Sequence, residues 1–262
     1  MRALVTGGCG FIGSNLVKRL VSEGWTVDVV DNLSGGTEES ILELKIRRVP
    51  MASLLPQFYY NLDKLGQKRD PGEVLFVPSD FSDLGVLAAI RDKRYDIVFH
   101  QAAVPRVSYS VENPAETTFE NITKTVSLFE ACNDSVKRVV WASSSSVYGG
   151  AEIMPTPESE RGKVLPASPY AWQKFSIEDY AKICYGLYGL DVVCLRDFNV
   201  FGPGQLGDSP YATAVSAWCH ATKNCTPLRS DGDGEQSRDL CYVDNVVEAN
   251  ILAANSNIVF KG

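Results

Sequence analysis

A glycine-rich segment that directly follows a short apolar run constrains the fold of this chain more than any other feature. Residues 3–5 (ALV) predict a buried strand, and residues 6–13 (TGGCGFIG) follow it and open a pattern of apolar residues four apart. The segment matches both GxGxxG and GxxGxxG. Glycines there permit a tight turn and let the amides at a helix N-terminus approach a pyrophosphate. This strand-to-helix context predicts a dinucleotide-binding turn.

Apolar runs and helix patterns alternate along the rest of the chain. The runs predict strands at residues 27–30, 74–77, 97–99, 139–141 and 192–195. Continuous apolar strands separated by amphipathic helices indicate a parallel sheet that is covered on both faces. Because crossovers between parallel strands are right-handed, we predict an α/β fold with a doubly wound, Rossmann-type parallel sheet.

Residues 34–73 fit this alternation poorly. They contain SGGTEES, a moderately helical ILELKIRR at residues 41–48 and a stretch rich in Pro, Tyr and Lys. We interpret them as an extended loop with a helix in it, near the adenosine end of the cofactor. A variable surface excursion is an equally good interpretation.

Composition narrows the classes of partner. A net charge of −7 argues against nucleic acid or an anionic membrane surface as the main partner. Seven cysteines without a CxxC pair indicate free thiols in a reducing compartment, and two histidines disfavour a histidine-rich metal site. The first strand starts almost at the N-terminus and no apolar run approaches membrane-spanning length, so we expect a cytoplasmic protein without a signal peptide.

Asp31 at the end of the second predicted strand supports the dinucleotide site. It stands eighteen residues beyond Gly13, where a carboxylate can accept hydrogen bonds from the adenine ribose hydroxyls. The same carboxylate repels a 2′-phosphate, which favours NAD over NADP. An aspartate at a strand end is often only a turn residue, but the glycine segment upstream favours the cofactor interpretation.

Tyr170 and Lys174 form a candidate reactive pair. They are four residues apart at the start of a helix that follows Ser168-Pro169, so both side chains lie on one helix face. A tyrosine with its ordinary pKa near 10 is a poor base at neutral pH. A nearby ammonium and a positive nicotinamide ring would lower that pKa. The pattern YxxxK also occurs on ordinary amphipathic helices.

Four consecutive serines at residues 143–146 follow the fifth predicted strand. Hydroxyls at the carboxyl end of a central strand face the ligand crevice of an open α/β sheet, where a serine can hydrogen-bond a sugar hydroxyl. The alternative is a polar loop that merely caps the strand. No acid or histidine follows at the spacing of a nucleophile elbow, which argues against a serine hydrolase.

Five ordered motifs together resemble a known family, the extended short-chain dehydrogenases/reductases that modify nucleotide sugars. After TGGCGFIG they are HQAA (100–103), SSSSVYG (143–149), SPYAWQK (168–174), LRDFNVFGP (195–203) and GDGEQSRDLCYVDNVVEAN (232–250). The combination is most similar to the branch of NAD-dependent epimerases that act at carbon 4 of UDP-glucose and UDP-N-acetylglucosamine.

The resemblance implies a role for each matching residue. The NAD-binding positions are Gly7, Gly10, Phe11, Ile12, Gly13, Asp31, Asn32, Asp80, Phe81, Ala102, Ala103, Asn121, Ser143, Tyr170, Lys174 and Phe198. The catalytic positions are Ser144, Tyr170 and Lys174, and the positions that contact the nucleotide sugar are Ser144, Ser145, Asn199 and Arg238. Arg238 is a partner for the diphosphate, although a structural loop role is a fair alternative for Asn199 and Arg238.

By the same resemblance the reaction is inversion at carbon 4 through transient oxidation with bound NAD. The family's 4,6-dehydratases carry Asp-Glu where Ser145-Ser146 stand here, and its decarboxylases tend to carry glutamate at the second position. The two serines therefore favour epimerisation. A reductase, decarboxylase or dehydratase of this family remains an alternative, and so does a non-catalytic NAD-binding module.

The resemblance also implies an organisation and several departures. We expect a Rossmann domain at residues 1–199 and a partial substrate-binding lobe at 200–262, in which about 239–258 returns to the first domain. The family continues beyond the point where Gly262 ends this sequence. Asp197 replaces the family's usual tyrosine and could point into the nicotinamide pocket or away from it. A homodimer through helices near 113–132 and 170–187 is expected.

Overall fold

The computed structural model describes residues 1–48, 69–150, 152–208, 212–230 and 232–262. The strands are β1 (Arg2–Thr6), β2 (Thr26–Asp31), β3 (Ile46–Arg48), β4 (Val74–Pro78), β5 (Ile97–His100), β6 (Arg138–Ala142), β7 (Val192–Leu195), β8 (Asn199–Phe201) and β9 (Leu240–Tyr242). The α-helices are α1 (Phe11–Ser22), α2 (Leu84–Arg91), α3 (Val107–Glu112), α4 (Pro114–Thr118), α5 (Lys124–Cys132), α6 (Pro169–Tyr188), α7 (Ala214–Lys223) and α8 (Val243–Asn255). A π-helical turn (Phe119–Thr123) joins α4 to α5.

The strands β1 to β7 form one parallel sheet in the order β3-β4-β2-β1-β5-β6-β7. The strand order reverses between β1 and β5, which is the arrangement of a doubly wound sheet. This confirms the predicted fold class. At such a reversal the loops after neighbouring strands diverge, so a crevice opens at the carboxyl ends of β1 and β5.

Two apolar layers cover the sheet, one on each face. Alternation along β1 sends Ala3 and Val5 to the layer beneath α1 and α8, and sends Leu4 to the layer beneath α2, α5 and α6. Each fully buried Val or Leu side chain contributes roughly 1.5–3 kcal/mol to folding. The two layers pack helices against both faces of the sheet, and this packing fixes the position of the crevice.

Local sequence sets the ends of α6, the helix that carries the candidate reactive pair. The Ser168 side chain accepts a hydrogen bond from the Ala171 amide at 3.1 Å, and Pro169 occupies the first helical position. The helix ends at Gly189, whose φ of 73° is the left-handed conformation that glycine adopts without strain. These caps fix the residues at which α6 begins and ends.

The segment after β2 differs from the prediction of a helix within 41–48. A 3₁₀ turn covers Glu38–Ile41, and Ile46–Arg48 pairs with β4 as the parallel edge strand β3. The pairing offers the edge of β4 a hydrogen-bonding partner, and this outweighs the moderate helix propensity of the sequence. The stretch rich in Pro, Tyr and Lys lies mostly in residues 49–68, outside the described residues.

The C-terminal part adds a small parallel pair and a helix. β8 pairs with β9, and α8 packs against α1, where Arg19 bonds Glu248 at 2.9 Å. The division into domains at residues 199 and 200 stays a prediction. Across the described ranges, no helix combines the length and the apolarity that a bilayer crossing requires. In the same ranges, no group of three or more His, Cys, Asp or Glu residues is arranged to hold a metal ion.

Candidate active site

The glycine-rich turn between β1 and α1 leaves no room for a Cβ atom at Gly7 or Gly13. A Cβ atom on Gly7 would lie 2.7 Å from the Ala102 amide nitrogen, and one on Gly13 would lie 2.1 Å from the Gly7 carbonyl oxygen. Gly7 also has a φ of 68°, in the left-handed region. The sequence therefore needs glycine at both positions to bring the turn and the loop after β5 together.

The N-terminus of α1 is suited to an anion. Gly10 is the N-cap residue and no side chain caps the helix there, so the first-turn amides of Phe11 and Ile12 are not occupied by a capping group. Uncapped first-turn amides and the positive end of the helix dipole favour a phosphate. These residues fit the pyrophosphate of a dinucleotide.

Asp31 is locked in place at the end of β2. Its carboxylate accepts hydrogen bonds from the Cys9 amide at 2.9 Å and from the Leu33 amide at 2.7 Å. Burial raises the pKa of Asp31 above its ordinary value, and the two amide hydrogen bonds oppose that rise. The bond to Cys9 ties the acid directly to the glycine turn, so the predicted ribose and pyrophosphate positions form one unit.

Three residues predicted to bind NAD, Asn32, Asp80 and Phe81, lie together after β2 and β4. Asp80 accepts hydrogen bonds from Lys124 at 2.8 Å and from Asn32 at 3.3 Å. Burial alone would raise the pKa of Asp80, but hydrogen bonds from Lys124 and Ser82 outweigh it and lower the pKa below its ordinary value. Phe81 is buried against the His100 ring. The sequence analysis did not identify Lys124, whose position one helical turn after Asn121 was the available signal.

The loop after β5, which carries Ala102 and Ala103, is held by Asn121. The Asn121 side chain accepts from the Val104 amide at 2.8 Å and donates to the Val104 carbonyl at 3.1 Å. It also donates to Gln173 in α6 at 2.8 Å. Asn121 therefore joins this loop to the helix of the reactive pair.

Tyr170 and Lys174 lie buried on the inner face of α6, toward the carboxyl end of β6. Lys174 donates to the Ala142 carbonyl at 2.6 Å, and its Nζ atom lies 5.8 Å from the centre of the Tyr170 ring. The Ser144 hydroxyl, which accepts hydrogen bonds from Ser146, lies close enough to Tyr170 to lower the pKa of its phenol. The structure thus brings together the three residues predicted to be catalytic.

The pKa of the Tyr170 phenol differs from the sequence-based expectation. Burial raises it to about 12, the hydrogen bond with Ser144 lowers it, and the negative charge of Asp197 raises it further. In the chain alone the phenol therefore keeps its proton at neutral pH.

Asp197 points inward, which resolves the two orientations left open by the sequence. Burial raises its pKa to about 7, and the charge of Lys174 opposes the rise. Burial lowers the pKa of Lys174 to about 8, while Asp197 opposes that fall. A carboxyl group and an ammonium group, both titrating near neutral pH, thus interact beside Tyr170.

The residues predicted to contact the sugar nucleotide lie on neighbouring segments. The Ser145 amide donates to the Asp197 carbonyl at 2.9 Å, and the Phe198 ring packs 6.3 Å from the Tyr148 ring. Asn199 donates from its side chain to the Asp239 carbonyl at 2.9 Å, which places it beside the exposed Arg238. Ser143 is buried, and its hydroxyl donates to Glu178 at 2.5 Å.

Comparison with known proteins agrees with this geometry. The model of the NAD dependent epimerase/dehydratase family matches residues 3–259. The structure of a UDP-N-acetylglucosamine 4-epimerase from Methanobrevibacter ruminantium M1, in complex with UDP-N-acetylmuramic acid, has a TM-score of 0.82 and 38% identity over 98% of this chain and 74% of that one.

Two curated relatives show the range of chemistry among similar proteins. The UDP-glucose 4-epimerase of Mycolicibacterium smegmatis is 35% identical over 97% of this chain and 73% of its own length. A UDP-N-acetyl-alpha-D-glucosaminuronate decarboxylase of Bacillus cytotoxicus is 30% identical over 98% of this chain and 72% of its own length. Fold, glycine turn and family match agree, and the chain belongs to the NAD dependent epimerase/dehydratase family.

Proposed function

We propose that this chain is a UDP-hexose 4-epimerase that inverts carbon 4 of UDP-glucose or UDP-N-acetylglucosamine. The observation that carries the proposal is the set of groups around the Tyr170 phenol. The Ser144 hydroxyl lies beside the phenol, and by the family resemblance Ser145 and Ser146 stand where the 4,6-dehydratases carry two acids. Epimerisation by transient oxidation needs one proton acceptor at the sugar hydroxyl and no further acid for a leaving group.

The cofactor is held by this chain's own groups at three places. The first-turn amides of α1 and the turn glycines take the pyrophosphate, Asp31 takes the adenine ribose, and the segment of Asp80 and Phe81 takes the adenine. The remaining cofactor positions proposed are Asn32, Ala102, Ala103, Asn121, Ser143 and Phe198. NAD, when bound, would accept a hydride from carbon 4 of the sugar and return it to the other face of that carbon.

Tyr170 acts as the base at the carbon 4 hydroxyl. Its phenol needs a nearby positive charge to lose its proton, because burial holds its pKa at about 12 in the chain alone. Ser144 lies beside the phenol, lowers its pKa and orients the sugar hydroxyl. Lys174 is fixed by the Ala142 carbonyl and keeps positive charge one helical turn away. Return of the same proton completes the inversion.

The sugar nucleotide occupies the side of the crevice formed by β8, β9 and the serine segment. Arg238 is exposed and able to pair with a diphosphate, and Asn199 lies beside it. Ser145 faces the sugar together with Ser144. We further propose the domain division at residues 199 and 200, a homodimer and a cytoplasmic location.

Product analysis tests the reaction. The purified protein is incubated with UDP-glucose, and separately with UDP-N-acetylglucosamine, without added NAD. We expect interconversion of the gluco and galacto forms with unchanged mass and no accumulation of reduced cofactor. Loss of carbon dioxide from a UDP-uronate, or loss of water, would assign a decarboxylase or dehydratase instead. Cofactor binding without turnover of any nucleotide sugar would show that the chain is a non-catalytic NAD-binding module.

A further inference from the structure

The inner face of α6 continues one turn beyond the reactive pair, to Glu178. Residues four apart on a helix share a face, so Tyr170, Lys174 and Glu178 form one row. The row meets three consecutive residues at the end of β6. Lys174 donates to the Ala142 carbonyl at 2.6 Å, Glu178 accepts from the Ser143 hydroxyl at 2.5 Å, and the Ser144 hydroxyl lies close enough to Tyr170 to lower the pKa of its phenol.

Glu178 is buried and paired with two arginines. Its side chain is 2% exposed, and Arg196 approaches it with two nitrogens at 3.0 and 2.9 Å from the two carboxylate oxygens. Arg161 forms a second ion pair with it at 2.5 Å. A bidentate pair between Arg and a carboxylate restricts both side chains in direction as well as distance. The carboxylate is therefore a fixed point to which Ser143 and Arg196 are both attached.

Backbone hydrogen bonds join the residues around Ser144 to the residues around Arg196. The Ser143 amide donates to the Leu195 carbonyl at 2.7 Å, and the Ser145 amide donates to the Asp197 carbonyl at 2.9 Å. The residues on both sides of Ser144 are therefore bonded to the residues on both sides of Arg196. Because Glu178 holds Arg196 directly, it determines where this double attachment lies relative to Tyr170.

We propose that Glu178 is a positioning residue that holds the serine segment so that the Ser144 hydroxyl meets the Tyr170 phenol. The inference rests on the proposed epimerase function, in which these two hydroxyls contact the sugar. Glu178 itself lies two helical turns along α6 from Tyr170, in contact with Ser143 and the two arginines. It therefore affects the chemical step rather than substrate affinity.

Two substitutions separate geometry from charge. Glu178→Asp keeps the charge that neutralises Arg161 and Arg196 but shortens the side chain by one methylene, so it cannot reach Ser143 and Arg196 together. We expect kcat to fall by about 10- to 100-fold while KM stays within about twofold, since a misplacement near 1 Å costs about that much. Glu178→Gln keeps the length of the side chain and removes its charge. Asp179→Asn is the matched control, because Asp179 also pairs with Arg161 but is half exposed, and its kcat should equal that of the wild type.

The pH profile gives a readout that a purely structural role would not move. Lys174 is faced by Asp197, Cys194 and Glu178, and the negative charge of Glu178 raises the pKa of Lys174 toward its ordinary value. His100 and Tyr170 are the other titratable groups beside it. The alkaline limb of kcat should move to lower pH in Glu178→Gln and stay in place in Glu178→Asp. An unmoved limb in Glu178→Gln, or a kcat of Glu178→Asp equal to that of the wild type, would overturn the proposal.

Hydrogen–deuterium exchange keeps the test independent of turnover. The amides of Ser143 and Ser145 should exchange faster in Glu178→Asp than in Asp179→Asn, because their bonds to Leu195 and Asp197 loosen. Equal exchange in the two variants contradicts the positioning role even where no substrate is turned over. A wild type that converts no UDP-hexose would count against the proposed function alone, and the exchange result would still decide the role of Glu178.

Discussion

At the scale of single residues, the Tyr170 phenol combines two opposing requirements. Burial beside Ser144 removes water from around the hydroxyl, and the same burial raises the pKa of Tyr170 to about 12. A buried phenol with this pKa acts as a base only when a positive charge stands close to it. In the chain alone the phenol therefore keeps its proton at neutral pH, and its proposed role as a base depends on the added positive charge of bound NAD.

Replacement of the phenol tests this dependence. We expect Tyr170→Phe to lower kcat by roughly 10²- to 10⁴-fold, because the proton acceptor is lost. NAD affinity should change little, since the ring keeps its place in α6. Turnover and cofactor titration are the measurements, and Tyr188→Phe at the exposed end of the same helix is the control. A kcat equal to that of the wild type would remove Tyr170 from the mechanism.

Asp197 gives a pH dependence of stability with a definite sign. Its pKa rises from 3.8 to about 7 on folding, so between these values the folded chain binds more protons than the unfolded chain. Stability therefore falls as the pH rises from about 4 to 7. Asp197→Asn removes this loss and should be more stable than the wild type at pH 7.5, by roughly 1–2 kcal/mol after allowance for partial exposure.

Thermal unfolding at pH 4.5 and 7.5 checks the sign. The difference between Asp197→Asn and the wild type should be larger at the higher pH. Asp134→Asn, at an exposed turn, should show no such difference. A gain of the same size at both pH values would show that the carboxyl does not titrate in this range.

At the scale of elements, the turn between β1 and α1 combines steric and electrostatic demands. Its glycines let the Gly7 carbonyl, the Ala102 amide and the start of α1 approach one another within distances that no Cβ atom tolerates. The same absence of side chains leaves the helix N-terminus open to phosphate. One local sequence thus serves both packing and binding.

Gly13→Ala tests whether this turn binds the pyrophosphate of NAD. The added Cβ would lie 2.1 Å from the Gly7 carbonyl oxygen, so the turn must shift away from the position that takes a pyrophosphate. We expect NAD affinity to fall by at least about 100-fold, which corresponds to about 2.7 kcal/mol. Isothermal titration measures it. Gly186→Ala meets nothing within 4 Å and should leave the affinity unchanged, and an unchanged affinity in Gly13→Ala would contradict the assigned turn.

At the scale of the whole molecule, bound NAD should link the two halves of the sheet. Its proposed binding residues lie in α1 and α6 and at the ends of β1, β2, β4 and β5, so binding should stabilise the entire fold. At a free NAD concentration of 100 times Kd we expect a stabilisation of about 2.7 kcal/mol. NADP should give a much smaller shift of Tm, because the buried carboxylate of Asp31 repels a 2′-phosphate. Equal shifts with both dinucleotides would contradict the role of Asp31.

Assembly is a second property of the whole molecule. The segments proposed for the dimer contact, 113–132 and 170–187, expose large apolar side chains, including Phe119 (54%), Trp172 (50%) and Leu187 (68%). Exposed apolar side chains of this kind are typical of surfaces that pack against a second copy, and they support the proposed homodimer. Light scattering should give twice the mass of one chain for the wild type and a smaller mass for Leu187→Glu. A wild type of single-chain mass at micromolar concentration would exclude the dimer.

The sequence by itself determined the features that depend on neighbours along the chain. The glycine turn, the strand that ends in Asp31 and the YxxxK face of α6 each follow from spacing within one or two elements. The doubly wound sheet follows too, since continuous apolar strands and right-handed crossovers allow few alternatives. These predictions needed no knowledge of which distant groups meet.

Only the tertiary structure decided the features that depend on distant groups. The edge strand Ile46–Arg48 forms because β4 offers it a partner, against its local helix propensity. The pKa of Tyr170 is raised because the packed elements around α6 bury its phenol, which outweighs the lowering effect of Ser144. The inward direction of Asp197 and the attachment of Glu178 to Arg196 likewise arise where separate elements pack together. Burial and long-range electrostatics are properties of the folded arrangement, and no local pattern encodes their balance.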